Sequence, residues 1–232
     1  MRIAGILLLA GVLAAQTISE QKEAALGKAL AAEATRSLTV IPNPELQQYV
    51  EALAQRISPG DWHIAMVQDD IGGSTHEPAA FPGGYLLIPA RLMAESRSES
   101  EFAGMLAHAM AHVLNRDAVR TPASQGSAIP VVFVGGIERD GTNAIPRSLL
   151  PRERQFELAA DTRAVELLTK AQLPAASLAA YLARTQGADS TRSRLPVKAE
   201  RLGALEQAVR TAPMVAPAPS SPEFDRLRAV LR

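Results

Sequence analysis

Two histidines, His108 and His112, stand four residues apart inside a run of apolar and alanine residues. On a helix that spacing puts both imidazoles on one face, about one turn from each other. Such a pair offers two nitrogens to a transition metal. With a glutamate directly after the first histidine it becomes the H-E-x-x-H arrangement of hydrolytic zinc helices, in which the glutamate is the general base. Here the stretch reads His108-Ala109-Met110-Ala111-His112. Both ligand positions are filled, and the position of the base holds a methyl group.

The element that must carry this pair is a helix over Glu99 to Asp117. Phe102, Met105, Leu106, Met110, Val113 and Leu114 recur at three- and four-residue spacing. Ser98 followed by Glu101 is a capping box for its start. A helix apolar on nearly every side is buried, and a buried imidazole needs a partner. A second helix, Pro151 to Lys170, sets Glu157 and Asp161 four apart within Phe156-Glu157-Leu158-Ala159-Ala160-Asp161. A helical carboxylate is what a two-histidine helix needs to reach three protein ligands with an open fourth position. Periodicity alone leaves both carboxylates equally able to be solvated surface groups.

The rest of the chain supplies further helices and little sheet. Ser19 to Ser37 has helical spacing, and Asn43-Pro44 opens a helix to about Ile57. Pro59-Gly60-Asp61 breaks the chain, and Trp62 to Gln68 alternates as a strand. Pro82-Gly83-Gly84 marks a turn before a short strand, Tyr85 to Ile88, which is either a template for an extended peptide or a core strand with no open edge. Thr121 to Arg147, with Pro122, Pro130 and Pro146 around an apolar core from Ile129 to Val134, is irregular: a lid or a packed loop. Ala175 to Arg184 and Val197 to Val209 are helical. Residues 211–232 form a Pro/Ala linker and a terminal helix from Glu223. His63 and His76 lack ligand spacing to the helix pair.

Lys plus Arg equals Asp plus Glu, 24 each, so no nucleic-acid surface is expected. Met1-Arg2, an apolar run from Ile3 to Ala15 and then polar Gln16 and Thr17 read as a secretory signal over residues 1–15. A periplasmic or secreted protein is expected, with membrane contact open but no spanning helix once the signal is removed. Cysteine is absent, so neither disulfides nor a lipoprotein anchor is expected. Residues 16–210 then form the main domain.

Three blocks, Ala80-Phe81-Pro82-Gly83-Gly84-Tyr85, Glu101-Phe102-Ala103-Gly104-Met105-Leu106-Ala107-His108 and Glu157-Leu158-Ala159-Ala160-Asp161, resemble metallopeptidase family 48 in that order. This is the group of HtpX, BepA-like periplasmic proteases and the CAAX prenyl endopeptidase. The resemblance implies a mainly α fold with a small β-sheet (α+β) of the gluzincin type. It also implies one zinc ion on His108, His112 and Glu157, with Asp161 supporting a ligand histidine.

The departures fall on the chemistry. The family's catalytic Glu is Ala109, and a family His thought to stabilise the transition state is Leu195, ahead of Pro196 and Arg201. The Asn expected before the turn is Glu77. No catalytic base is assigned; Arg201 is a candidate for contacting a substrate carbonyl or, equally, a helix Arg paired with a carboxylate. General acid–base catalysis contributes roughly 100- to 10,000-fold, or about 3 to 5 kcal/mol of barrier. The leading expectation is therefore a zinc-binding relative with weak or absent peptide hydrolysis that holds a peptide or unfolded protein segment. The alternatives are a working metallopeptidase with Glu77 or Glu153 as substitute base, and a metal-free interaction module in which the imidazoles bond Glu157 directly.

Overall fold

The protein is described here from a computed structural model over residues 19–71, 73–120 and 147–232. The expected signal and nearly all of Thr121 to Arg147, including Ile129 to Val134, lie outside the described residues.

Two N-terminal helices come first. Helix α1 (Glu20–Thr35) is opened by Ser19, whose Oγ accepts from the Lys22 amide, and α2 (Pro44–Ile57) by Asn43, whose Oδ1 accepts from the Glu45 and Leu46 amides. Each cap satisfies amides that have no partner inside the helix. The sheet follows, with strands β1 (His63–Val67), β2 (Ala79–Phe81) and β3 (Tyr85–Pro89) in the order β1-β3-β2. Strand β3 runs parallel to β1 and antiparallel to β2. The Tyr85 strand is thus central with both edges paired, and β1 and β2 are the outer strands. Ala79-Ala80-Phe81 gives no alternating pattern by which a three-residue, wholly buried strand can be read.

The turn at Pro82-Gly83-Gly84 fixes where α1 lies. Gly83 and Gly84 have φ of +72° and +88°, a backbone region costly for residues with a Cβ. A Cβ on Gly27 would meet the Pro82 carbonyl oxygen at 1.7 Å, so α1 rests directly on the turn.

Helix α3 (Ala90–Glu95) leads into α4 (Glu99–Leu114), the histidine helix. The Ser98 hydroxyl accepts from the Glu101 amide at 3.2 Å, while the Glu101 carboxylate reaches back to the Arg97 amide at 2.8 Å. Every residue of α4 from Ser100 to His112 is buried. The helix ends at Leu114 rather than running on to Asp117, because Arg116 adopts φ +57° and reverses the chain. Asp117 instead begins the short helix α5 (Asp117–Arg120).

Helix α6 (Leu150–Lys170) packs along α4, α7 (Ala176–Thr185) packs on α4 as well, and α8 (Lys198–Thr211) packs against both α6 and α7. The main core gathers apolar side chains from all of these and from α2. The C-terminal helix α9 (Pro222–Val230) adds Phe224 and Leu227 to that same core. Glu99 ties its start down, accepting from the Ser221 amide at 2.8 Å and from the Tyr49 hydroxyl at 2.7 Å. Among the described residues no helix is long and apolar enough to cross a membrane.

Candidate metal centre

The i, i+4 spacing on α4 and the α4–α6 packing bring four buried side chains together: Glu77, His108, His112 and Glu157, with one donor atom from each lying within 4.8 Å of the others. His108 Nε2 and His112 Nε2 are 3.1 Å apart. Glu157 reaches His108 Nε2 with Oε2 at 3.4 Å and His112 Nε2 with Oε1 at 3.7 Å. Glu77 Oε1 lies 3.7 Å from His108 Nε2 and 4.0 Å from His112 Nε2.

Each imidazole is held from behind. His108 Nδ1 lies 2.8 Å from Asp161 Oδ1, and His112 Nδ1 lies 2.8 Å from Asp117 Oδ2. A carboxylate on Nδ1 fixes the ring and its tautomer so that Nε2 points inward. The turn at Arg116 that ends α4 early is what delivers Asp117 to His112. Asp161 is oriented in turn by Arg201, whose Nε and Nη2 donate to its two oxygens at 2.7 and 3.0 Å. Arg201 is fully buried and also lies 3.3 Å from Glu157 Oε2. Its guanidinium is committed to two carboxylates, so the structure makes it a positioning residue behind the centre.

Arg194 enters from the other side and ion-pairs with both Glu157 and Glu77, the latter through Oε2 at 2.8 Å. Neither it nor Asp117 stands out in the sequence, since neither has a helical spacing to the histidines. Leu195 points elsewhere: with Ser74, Arg154 and Pro196 it lines a cavity of about 430 Å³ that none of the four clustered side chains lines. Ala109 is fully buried in the main core. Glu153 is buried beside the centre but outside the cluster. His63 stacks on Tyr85 with ring centroids 4.2 Å apart, and His76 Nδ1 lies 3.0 Å from Asp70; both stand apart from the cluster.

The electrostatics follow from this crowding. Burial opposes charge on His108, but Asp161, Glu157 and Glu77 outweigh it and hold the imidazole well above the usual histidine range. Burial likewise opposes ionisation of Asp161, yet Arg201 and His108 pull its carboxyl down to about 2. Arg194 and the imidazoles overcome burial at Glu77, keeping it well below the ordinary carboxylate value. Glu153 moves the other way, pushed up to about 7 chiefly by burial. Among the described residues the carboxylates Glu77, Glu157, Asp161 and Asp117 outnumber the guanidiniums Arg194 and Arg201 around the imidazoles, a balance that favours a cation.

Donor type and distance fit zinc. Bonds of about 2.0–2.2 Å to nitrogen and oxygen in a tetrahedron place neighbouring donors roughly 3.3–3.6 Å apart. The observed separations among the imidazole nitrogens and Glu157 oxygens, 3.1 to 3.7 Å, straddle that value.

Comparison with known proteins bears on the family. The profile described as Peptidase family M48 matches residues 41–209. A β-barrel assembly-enhancing protease of Yersinia pestis is 29% identical over 131 residues, covering 54% of this chain and 26% of its own length. The protein of the same name from Escherichia coli K12 is 26% identical over 133 residues, or 55% of this chain and 26% of the relative. The chain thus spans about a quarter of the length of these relatives.

Proposed function

The chain belongs to peptidase family M48, and from that premise we propose that it is a zinc-binding member in which peptide-bond hydrolysis has been lost or strongly weakened. In this reading His108, His112 and Glu157 hold one zinc ion, and Asp161 and Asp117 fix the two imidazoles. A zinc ion in such a site supplies acidification of water and polarisation of a peptide carbonyl. Proton transfer is then left to the chain's own groups, and here the residue after the first ligand is Ala109, a methyl group packed in the core. That residue carries the reading. Without a base the reaction forgoes roughly 100- to 10,000-fold, and Leu195 offers no hydrogen bond to a developing charge. What remains is binding.

The partner in this reading is a peptide or an unfolded protein segment, held near the old cleft in a periplasmic or extracellular setting. The relatives are named for β-barrel assembly, so an extended strand-forming segment is the first partner to try. The test is zinc content of the purified chain together with turnover of an unfolded protein substrate. Zinc near one per chain with no turnover is the expected result. Turnover by the unaltered chain at ordinary enzyme rates overturns it.

A second reading, a working peptidase with a substitute base, is favoured by Glu77, whose Oε1 faces both imidazole nitrogens. Under it Glu77→Gln abolishes an activity that the unaltered chain already has.

A further inference from the structure

We propose that Glu77 is a fourth protein ligand, which closes the metal's coordination sphere and makes the centre a structural one. The inference rests on the zinc-binding reading above and says what has become of the position a substrate would use.

The argument starts from geometry. Glu77 Oε1 stands 3.7 and 4.0 Å from the two imidazole nitrogens, against 3.4 and 3.7 Å for the oxygens of Glu157. Two carboxylates therefore bracket the nitrogen pair at nearly the same range. A group acting as base must contact a coordinated water from outside the ligand shell, one bond length further from the ion. Glu77 stands within about 0.3 Å of the Glu157 separations instead. Arg194 engages its Oε2 at 2.8 Å, which leaves Oε1 aimed at the imidazoles as a single-oxygen donor. Four protein donors with no open position is the pattern of structural zinc, three with an open position that of catalytic zinc.

The loop that carries Glu77 is held in place. Tyr181 on α7 donates its hydroxyl to the Thr75 carbonyl at 3.0 Å, and Ser74 Oγ accepts from the Gly187 amide at 3.1 Å. His76, the residue before Glu77, takes φ +49°, a conformation that costs energy and persists only where surroundings enforce it. Pro78 restricts Glu77 from the other side. The carboxylate is thus delivered by a braced loop, and it is 99% buried.

The experiment loads the full chain with Co²⁺ in place of zinc and follows its visible absorption during azide titration, for the unaltered protein, Glu77→Gln and Glu77→Ala. Melting curves show that each variant is folded. The expected result is an intense four-coordinate spectrum in the unaltered chain that azide leaves unchanged. Glu77→Ala opens a position, shifts the bands and binds azide with saturation. Zinc affinity in that variant falls by more than the roughly 10- to 100-fold that losing a supporting partner costs. Azide binding by the unaltered protein equal to that of Glu77→Ala overturns the inference while leaving the zinc site standing. Failure of the unaltered chain to bind Co²⁺ or zinc better than His108→Ala overturns both this inference and the zinc-binding reading.

Discussion

One side of the centre grips and the other side should move protons, and the two differ in how they are built. On the gripping side each imidazole has a carboxylate at 2.8 Å, one carried by α6 and the other by the turn after α4. Asp161 has a bidentate guanidinium behind it, and all of these groups are buried. On the proton side Ala109 is a core methyl, Leu195 lines a separate cavity, and a loop carboxylate, Glu77, faces the imidazoles with Arg194 paired to it. Gripping depends on helix packing that the fold needs anyway. Proton handling depends on individual side chains that the packing of α4 against α6 does not require, so the first can outlive the second.

The hardest blow to the gripping side is His108→Ala. Zinc at a thousandfold excess over its dissociation constant adds about 4 kcal/mol to the unaltered chain, or roughly 8–16 °C in melting temperature for a domain of this size. Chelator should remove that increment from the unaltered protein and change His108→Ala not at all. Differential scanning calorimetry with and without chelator reads it, and equal chelator shifts in both proteins would refute the ligand assignment.

The two supporting carboxylates divide the effect. Asp117→Asn and Asp161→Asn should each weaken zinc binding by roughly 10- to 100-fold. Asp161→Asn should also destabilise the metal-free protein, because Arg201 is fully buried and Asp161 is its bidentate partner. Breaking a buried pair from one side costs about 3–5 kcal/mol. Competition with a coloured chelator gives the affinities, and urea unfolding of the apoprotein gives the stability. Equal apoprotein stability in the two variants would mean that Arg201 does not need its carboxylate.

What could be read in advance follows the same division. The pair His108 and His112 is legible because a four-residue spacing on a helix is local information, and α4 and α6 form close to where periodicity puts them. Glu157 and Asp161 share that spacing, but only the family resemblance separates them from solvated carboxylates. Glu77 is visible only as a residue out of pattern, and Asp117 and Arg194 not at all. Their positions are decided by a left-handed Arg116, a braced loop and pairings between residues 37 and 117 positions apart. Strand β2 is missed for a related reason, since its three residues are buried on every side and show no alternation. For Arg201 the sequence leaves contact with a substrate carbonyl and pairing with a carboxylate equally open, and the packing of α6 against α8 gives it Asp161 as partner.

Glu153 sharpens the proton side. Its carboxyl is pushed up to about 7, chiefly by burial, from an ordinary value of 4.5. Between those two values the folded chain keeps a proton that the unfolded chain has released. Stability therefore falls as pH rises from about 4.5 to about 7 and levels off above. Glu153→Gln in the metal-free protein should flatten that part of the profile by as much as one proton, leaving any slope due to His108. Melting temperature against pH for both proteins decides it, and parallel profiles would show that Glu153 is ionised throughout.

The mildest change asks whether the gripping side feels strain from its outer face. Gly104 is one turn before His108, and a Cβ there would lie 3.1 Å from the Leu178 Cα and Cβ on α7. Alanine in place of glycine gains about 1 kcal/mol of helix propensity, while overpacking a tight core contact costs typically 1–3 kcal/mol. Gly104→Ala should therefore come out near neutral to about 2 kcal/mol destabilising in urea. Its zinc affinity should stay within about threefold of the unaltered chain, because the 2.8 Å contacts to Asp161 and Asp117 set the imidazoles independently of α7. A tenfold loss of zinc affinity would mean that helix packing at α7, and not the carboxylates behind the rings, determines where the nitrogens point.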